Sequence, residues 1–249
     1  MTSTDAPAEI TVSFVVPCYN ERENVAATVA EIERAVKESS IGDFEIIVVD
    51  DCSSDGTSEV VKGLMTQVPQ LRLVINEKNL SLGGAYKEGL KREVKDYVMM
   101  VPGDNSHPAE GITPILRSAG NADIVVPYPE SRDVRSSYRQ YLSGGYTAML
   151  NLLFGLKLPY YNGIALHRRD LLKSIEIETN GFAYAAEILI KLIRRGSTFV
   201  TVAVVIKERK EGRSSALKPK NMMRVFGAIL SLWLSECAPF WRKTPQLTK

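Results

Sequence analysis

Apolar residues fall along this chain in two rhythms. Continuous runs, ITVSFVV (10–16), FEIIVVD (44–50), LRLVI (71–75), YVMMV (97–101) and DIVVP (123–127), are rich in Val and Ile. Runs of this kind are expected of strands buried on both faces of a sheet. Between them the spacing changes. In NVAATVAEIERAVKES (24–39), Val25, Val29, Ile32 and Val36 recur at a helical period. A second helix is expected over 57–67, capped by Ser54 or Asp55, and a third over 83–93. A fourth, PAEGITPILRSA (108–119), carries Pro108 near its start, where a missing N–H costs nothing. Such alternation predicts right-handed crossovers and a mostly parallel central sheet, an α/β domain of Rossmann-like build.

Beyond 130 the rhythm loosens. RSSYRQYLSGGYTAMLNLLFG (135–155) reads as one long helix with a candidate break at Gly144-Gly145. YYNGIALHRRDLL (160–172) reads as a short strand and turn, and TFVTVAVVI (198–206) as a strand. FAYAAEILIKLIRRG (182–196) is expected to be a helix ending at Gly196, with Arg194 and Arg195 in a last turn that favours cations. NMMRVFGAILSLWLSE (221–236) is a final helix of high apolar content. One catalytic unit is expected over 10–217, with 218–249 as an appended helix and tail.

Composition narrows the partners. A net charge of +2 gives no global field for nucleic acid. Cys18, Cys52 and Cys237 form no CxxC pattern, which suits a reducing, cytoplasmic compartment without a disulfide framework. The first nine residues are small and polar, and no signal peptide is expected. No apolar run reaches the roughly 20 residues of a membrane span. The apolar helix at 221–236, followed by Trp241-Arg242-Lys243, suits peripheral contact with the inner face of the cell membrane. A helix that closes the core, or a homo-oligomer interface, fits the same pattern.

Ligands of parallel sheets bind beyond the carboxyl ends of the strands. The informative loops are therefore PCYNE (17–21), DDCSSDGT (50–57), NEKNLSLGG (76–84) and PGDNSHP (102–108). All are polar, and all four carry acids. Asp104 has three open roles: metal ligand, catalytic base, or cap of the next helix. Asp51 is less explained by turn chemistry than the SSDGT that follows it. Gly83 and Gly84 at a loop-to-helix junction would let a phosphate approach the backbone, or simply make a tight turn. No GxxxxGK[ST] is present. His107, beside Pro108, fits local backbone contacts better than a ligand role. Arg139 and Ser143 share a helix face one turn apart, with Arg132 and Arg135 just before them; a phosphate clamp and a solvated charged face both fit. Glu187 is the single acid in FAYAAEILI, so it needs an arginine partner or a catalytic task.

Together these residues resemble the family 2 inverting glycosyltransferases, and most of all the dolichol-phosphate mannose synthase and polyprenyl-phosphate glycosyltransferase branch. The strings that carry the resemblance are SFVVPCYNERENV, IIVVDDCSSDGTSEVV, NEKNLSLGGAYKEGL and GDNSHPAE, followed in order by YYNGIALHRRDLL, FAYAAEILIKLIRRG and ERKEGRSS. The resemblance implies a single nucleotide-sugar-binding domain of glycosyltransferase A type. It implies that Pro17, Tyr19 and Glu21 line the nucleotide pocket, that Asp51 contacts the base, and that Asn79, Gly83 and Gly84 form a loop near the donor. Asp104 matches the last acid of the family's Asp-x-Asp motif, which holds Mg2+ or Mn2+ on the donor diphosphate. Arg139 and Ser143 match an acceptor-phosphate clamp. Glu187 matches an acid in the second half of the site, and Arg209 and Arg213 resemble a basic motif that closes over phosphates. The first acid of the metal motif is Pro102 here, so a two-acid site has become a one-acid site and weaker metal binding is expected. Ser106 stands where this branch often has an amide side chain.

The expected donor is of GDP-mannose or UDP-glucose type, and the expected acceptor is a lipid phosphate. A phosphate is already an anion and needs little base catalysis. A hydroxyl acceptor, the alternative, would need Glu187 or Asp104 as base. A binding protein without catalysis is a further alternative. The glycine-rich basic loop of nucleotidyltransferases is absent from PCYNERE.

Overall fold

The computed structural model describes residues 9–130, 137–207 and 219–242, with the backbone alone given at 137–139, 219–220 and 237–242. In chain order its elements are β1 (Thr11–Cys18), α1 (Val25–Lys37), β2 (Asp43–Asp50), α2 (Thr57–Leu64), β3 (Leu71–Ile75), α3 (Ser81–Leu90), β4 (Tyr97–Met100), α4 (Ala109–Arg117) and β5 (Ile124–Pro129). There follow α5 (Ser137–Phe154), β6 (Leu166–Arg168), α6 (Arg169–Lys173), α7 (Tyr184–Arg194), β7 (Phe199–Val204) and α8 (Pro219–Arg242).

The strands form one sheet in the order β3-β2-β1-β4-β6-β5-β7. Only β6 runs antiparallel, between β4 and β5; every other pairing is parallel. The continuous apolar runs are explained by burial on both faces. Phe14, Ile46, Val48 and Met99 point to one core with Ile32, Val61 and Ile112 of α1, α2 and α4. Val15, Ile47, Val98 and Ile124 point to the other, beneath Tyr86, Leu150 and Leu189 of α3, α5 and α7. The result is three layers with β1 near the middle.

One expectation changes. Helix α5 runs unbroken through Gly144 and Gly145, where neither glycine has a neighbour close enough to require it. In the final helix, Ile229 and Leu232 are buried in the second core. Each contributes about 1.5–3 kcal/mol by leaving water. Gly196 ends α7 as expected, with a φ of 94° that suits a residue lacking Cβ.

Candidate active site

The site is built from the loops that leave β1, β2 and β4, three adjacent strands. After Cys18 the chain turns through Asn20, which adopts a φ of 55°. This turn is tied to the loop after β2. The Asn20 amide donates to Ser53 Oγ at 2.9 Å, and the Ser54 amide donates to Asn20 Oδ1 at 2.9 Å. The Glu21 amide donates to Thr57 Oγ1 at 3.0 Å, and the Arg22 amide to Asp55 Oδ2 at 3.0 Å. Asp55 also accepts the Thr57 amide at 3.0 Å, but the capping position of α2 is Gly56, with a φ of 93°, rather than the expected Ser54 or Asp55. Glu21 is buried and accepts from Asn24 Nδ2 at 2.8 Å. Tyr19, at 53% exposure, leaves its ring on the surface at the rim of this turn.

Asp50 and Asp51 diverge, as neighbours at a strand end must. Asp50 accepts the Ser53 amide at 2.9 Å and the Ser58 hydroxyl, so it belongs to the turn before α2. Asp51 faces α3. Its Oδ1 accepts Asn76 Nδ2 and the Leu80 amide, both at 2.8 Å, and Asn79 Nδ2 donates to its carbonyl at 3.3 Å. Asp51 thus locks the loop 76–80 and the first turn of α3 to the end of β2.

Beyond β4, the Gly103 amide donates to the Pro17 carbonyl at 3.1 Å. A Cβ on Gly103 would stand 2.3 Å from Cys18 Sγ, so only glycine lets this segment lie on β1. Asp104 follows, half-buried. Its Oδ1 accepts the Ser106 hydroxyl at 2.6 Å and the Ser106 amide at 3.2 Å. Asp104 does not cap α4: the first amide of that helix, Ala109, donates to Glu31 Oε2 at 2.8 Å. Asn105, with a φ of 53°, donates its amide to Thr28 Oγ1 at 3.0 Å. The Ser106 carbonyl accepts the Lys207 amide at 3.1 Å, so the chain leaving β7 crosses the Asp104 turn. His107 lies half-buried in the same stretch.

The charge of these loops is felt by Cys18. Burial, and then the carboxylates of Glu21, Asp50, Asp104 and Asp55, push its thiol well above the usual 9.0. Four acids from three loops therefore make this pole of the sheet a place where a cation is stabilised. Among the described residues no group of three His, Cys, Asp or Glu side chains is placed to hold an ion. As a donor set for a divalent cation, this pole could offer the single hard carboxylate of Asp104. That set fits an ion that keeps waters and takes its remaining oxygens from a substrate diphosphate.

The other expected residues divide. Gly83 and Gly84 do permit a close backbone approach, but to the chain itself. Both amides donate to the Asn180 carbonyl, at 2.9 and 3.2 Å, and a Cβ on Gly83 would lie 2.7 Å from the Thr179 carbonyl oxygen. Glu187 has a lysine partner, not an arginine. Its Oε1 accepts Lys191 Nζ at 2.7 Å and the Glu178 amide at 2.8 Å, and its Oε2 accepts the Thr179 amide at 2.8 Å. Burial works to raise its pKa, yet the hydrogen bonds from Lys191, Thr179 and Glu178 outweigh it and hold the carboxyl below its usual range. A carboxylate so engaged is a poor proton acceptor. Ser143 is half-buried on α5. Arg139 lies on the same helix one turn earlier, its side chain outside the described residues, and Arg132, Arg135, Arg209 and Arg213 lie outside them entirely. Lys191 was missed as Glu187's partner although its i+4 spacing shows it. Lys87 and Asn76 gave no signal, because their partners are distant in sequence.

The glycosyl transferase family 2 model matches residues 13–176, about two thirds of the chain. The chain is 27% identical to an undecaprenyl-phosphate mannosyltransferase of Micrococcus luteus over 80% of this chain and 85% of that protein. It is 30% identical to a dolichol-phosphate mannosyltransferase of Pyrococcus furiosus over 89% of this chain, spanning 63% of the longer protein. In structure it resembles glucosyl-3-phosphoglycerate synthase of Mycobacterium tuberculosis, solved with Mn2+, uridine diphosphate and glucosyl-3-phosphoglycerate. The TM-score is 0.66 at 20% identity over 92% of this chain and 80% of that one, a likeness of fold. The acidic pole, the mostly parallel seven-stranded sheet of A-type glycosyltransferase form and the sequence match agree, and this chain belongs to glycosyl transferase family 2.

Proposed function

We propose that this glycosyltransferase moves a sugar from a nucleotide-diphosphate sugar to a polyprenyl phosphate, with inversion at the anomeric carbon. The observation that carries the reading is the acidic pole at the ends of β1, β2 and β4, where Asp104 stands beside the turn that begins at Pro17. In this reading the nucleotide lies across Pro17, Tyr19 and Glu21, with Asp51 and Asn79 at the base, and a mannose or glucose donor on GDP or UDP fits the relatives. Asp104 holds Mg2+ or Mn2+ against the diphosphate; the neighbouring synthase was crystallised with Mn2+ and a uridine nucleotide. When bound, the ion neutralises charge on the departing diphosphate. Arg209 and Arg213 follow Lys207 in sequence, and Lys207 is fastened to Ser106 two residues from Asp104. This supports their role as phosphate ligands.

The fate of Glu187 bears on the acceptor. A hydroxyl acceptor would need a base, and the strongest candidate outside the donor pole is committed to its own chain. A phosphate acceptor needs none, and the Micrococcus and Pyrococcus relatives are named for lipid-phosphate acceptors. Arg139 and Ser143 are the residues assigned to the acceptor phosphate.

A lipid acceptor calls for a lipid-facing surface. No helix among the described residues is long and apolar enough to cross a membrane. Helices α5 and α8 touch, and they expose Tyr141 and Leu152 on one and Met223, Phe226 and Leu234 on the other. This supports peripheral membrane contact. The test offers UDP- and GDP-sugars with Mn2+ to polyprenyl phosphate, polyprenol and soluble saccharides in parallel. Transfer to the polyprenyl phosphate is expected; transfer confined to hydroxyl acceptors overturns the reading. Flotation with anionic liposomes is expected to carry the wild type and to lose a Phe226→Asp, Met223→Asp variant.

A further inference from the structure

Segment 176–180 is a short irregular stretch between α6 and α7, with no regular structure of its own. Its peptide groups are nevertheless taken up one after another by side chains and amides of two helices. From α7, Lys191 Nζ donates to the Glu176 carbonyl at 2.8 Å, and Glu187 accepts the amides of Glu178 and Thr179, both at 2.8 Å. From α3, Lys87 Nζ donates to the carbonyls of Ile177 and Glu178 at 3.1 and 3.3 Å. The amides of Gly83 and Gly84 donate to the Asn180 carbonyl. The segment is a strap: α7 grips one edge of it, and the other edge grips the first turns of α3.

The α7 side is rigid for a physical reason. Glu187 and Lys191 are 3% and 4% exposed, and Lys191 also reaches Glu178 Oε1 at 2.9 Å. A buried, fully hydrogen-bonded pair has few alternative arrangements. On the other side, α3 begins where the Leu80 amide meets Asp51 Oδ1. Gly83 is three residues further, one helical turn along. A cavity of about 200 Å³ lies behind the strap, lined by Glu178, Thr179 and Glu187 and by Ala228, Ser231 and Leu232 of α8.

We infer that Lys191, acting through Glu187, and Lys87 are positioning residues for the donor. They fix the strap, the strap fixes the register of α3, and α3 fixes Asn79 and Asp51 at the nucleotide. None of the three side chains needs to touch substrate. The inference rests on the proposed placing of the nucleotide at Asp51 and Asn79.

The experiment uses the full chain and titrates UDP and GDP, each with Mn2+, well below the melting temperature. The variants are Lys191→Met, Glu187→Gln and Lys87→Met, with Asp51→Asn as control. Lys87 is half-buried and donates to backbone carbonyls rather than to a buried carboxylate, so Lys87→Met keeps the test decisive if Lys191→Met fails to fold. Each strap variant is expected to weaken nucleotide binding and raise the donor KM by about tenfold. Turnover at saturating donor should stay near wild type, and hydrogen exchange at the Gly83 and Gly84 amides should quicken. A lowered melting temperature with unchanged nucleotide affinity and unchanged exchange at 83–84 would make the strap merely structural and overturn the inference. A fall in kcat without a change in KM, with loss of a titrating limb of the pH profile in Glu187→Gln, would make Glu187 a base and overturn it too. If Asp51→Asn weakens binding and the strap variants do not, the inference fails alone. If the wild type binds neither nucleotide, or Asp51→Asn binds as well as wild type, the proposed nucleotide site fails and the inference falls with it.

Discussion

The turn 102–107 and the strap 176–180 each hold one carboxylate, and they are built to opposite plans. Asp104 sits half-buried on a turn, with its Oδ1 held by Ser106 and with other acids crowded around it. Glu187 sits in the core with a lysine beside it and backbone amides on both oxygens. The first arrangement gathers negative charge, and in the proposed reading a divalent cation meets it there. The second is electrostatically complete and holds its neighbours still. A carboxylate's role is read from where its lone pairs go, more than from how unusual its setting is.

Removing Lys191 tests the completed site, and the largest effect is expected there. Lys191→Ala leaves Glu187 buried without a counter-charge, and loss of one partner of a buried pair costs about 3–5 kcal/mol. Denaturant titration at neutral pH measures it. The sign with pH follows from the directions of the two shifts. Glu187 lies below its usual 4.5, so its contribution is complete above that pH and is lost as pH falls through the lowered value. For Lys191, burial works to lower the pKa, but the hydrogen bonds it donates to Glu187 and Glu178 raise it above 10.5. Its contribution is therefore complete below 10.5 and lost as pH rises through the raised value. An Asp104 variant with wild-type activity would break the comparison from the other side. Asp104→Asn should lower Mn2+-dependent turnover by about 10²–10³ with little change in melting temperature.

His167 extends the contrast to a buried group with neither plan. Burial, offset in part by the backbone of Ala165, pushes its imidazole down to about 4 from 6.5. The unfolded chain therefore binds the extra proton first. Stability should fall as pH drops from 6.5 toward 4, by roughly 3 kcal/mol in full. His167→Leu should flatten that slope in denaturant titrations. Ser106→Ala sharpens the comparison with the smallest effect. It removes the 2.6 Å bond to Asp104, and loss of about 1 kcal/mol of positioning should slow turnover roughly fivefold.

Much of the acidic pole was legible because its logic is local. Strands buried on both faces announce themselves as runs such as FEIIVVD, and the residues just past them are named by position alone. Asp51 and Asp104 do stand just past the ends of β2 and β4. The rest depends on contacts between distant segments. Gly83 and Gly84 had two readings, and neither foretold their bond to Asn180, nearly a hundred residues away. Strand β6 has only three residues, Leu166–Arg168, too few to show a period, so its antiparallel insertion between β4 and β5 is invisible in sequence. Glu187 shows a different limit. Its partner Lys191 stood at i+4 in plain view, but KLIRR reads first as a basic helix end, and the amides of Glu178 and Thr179 carry no side-chain signal at all.

The central claim is that Asp104 is the protein's carboxylate for a divalent ion on the donor diphosphate. Calorimetric titration of UDP and GDP into wild type and Asp104→Asn, each with and without Mn2+, tests it most directly. The account predicts that Mn2+ tightens nucleotide binding to the wild type, and that Asp104→Asn loses this gain while keeping its metal-free affinity. An equal Mn2+ gain in both proteins would contradict it.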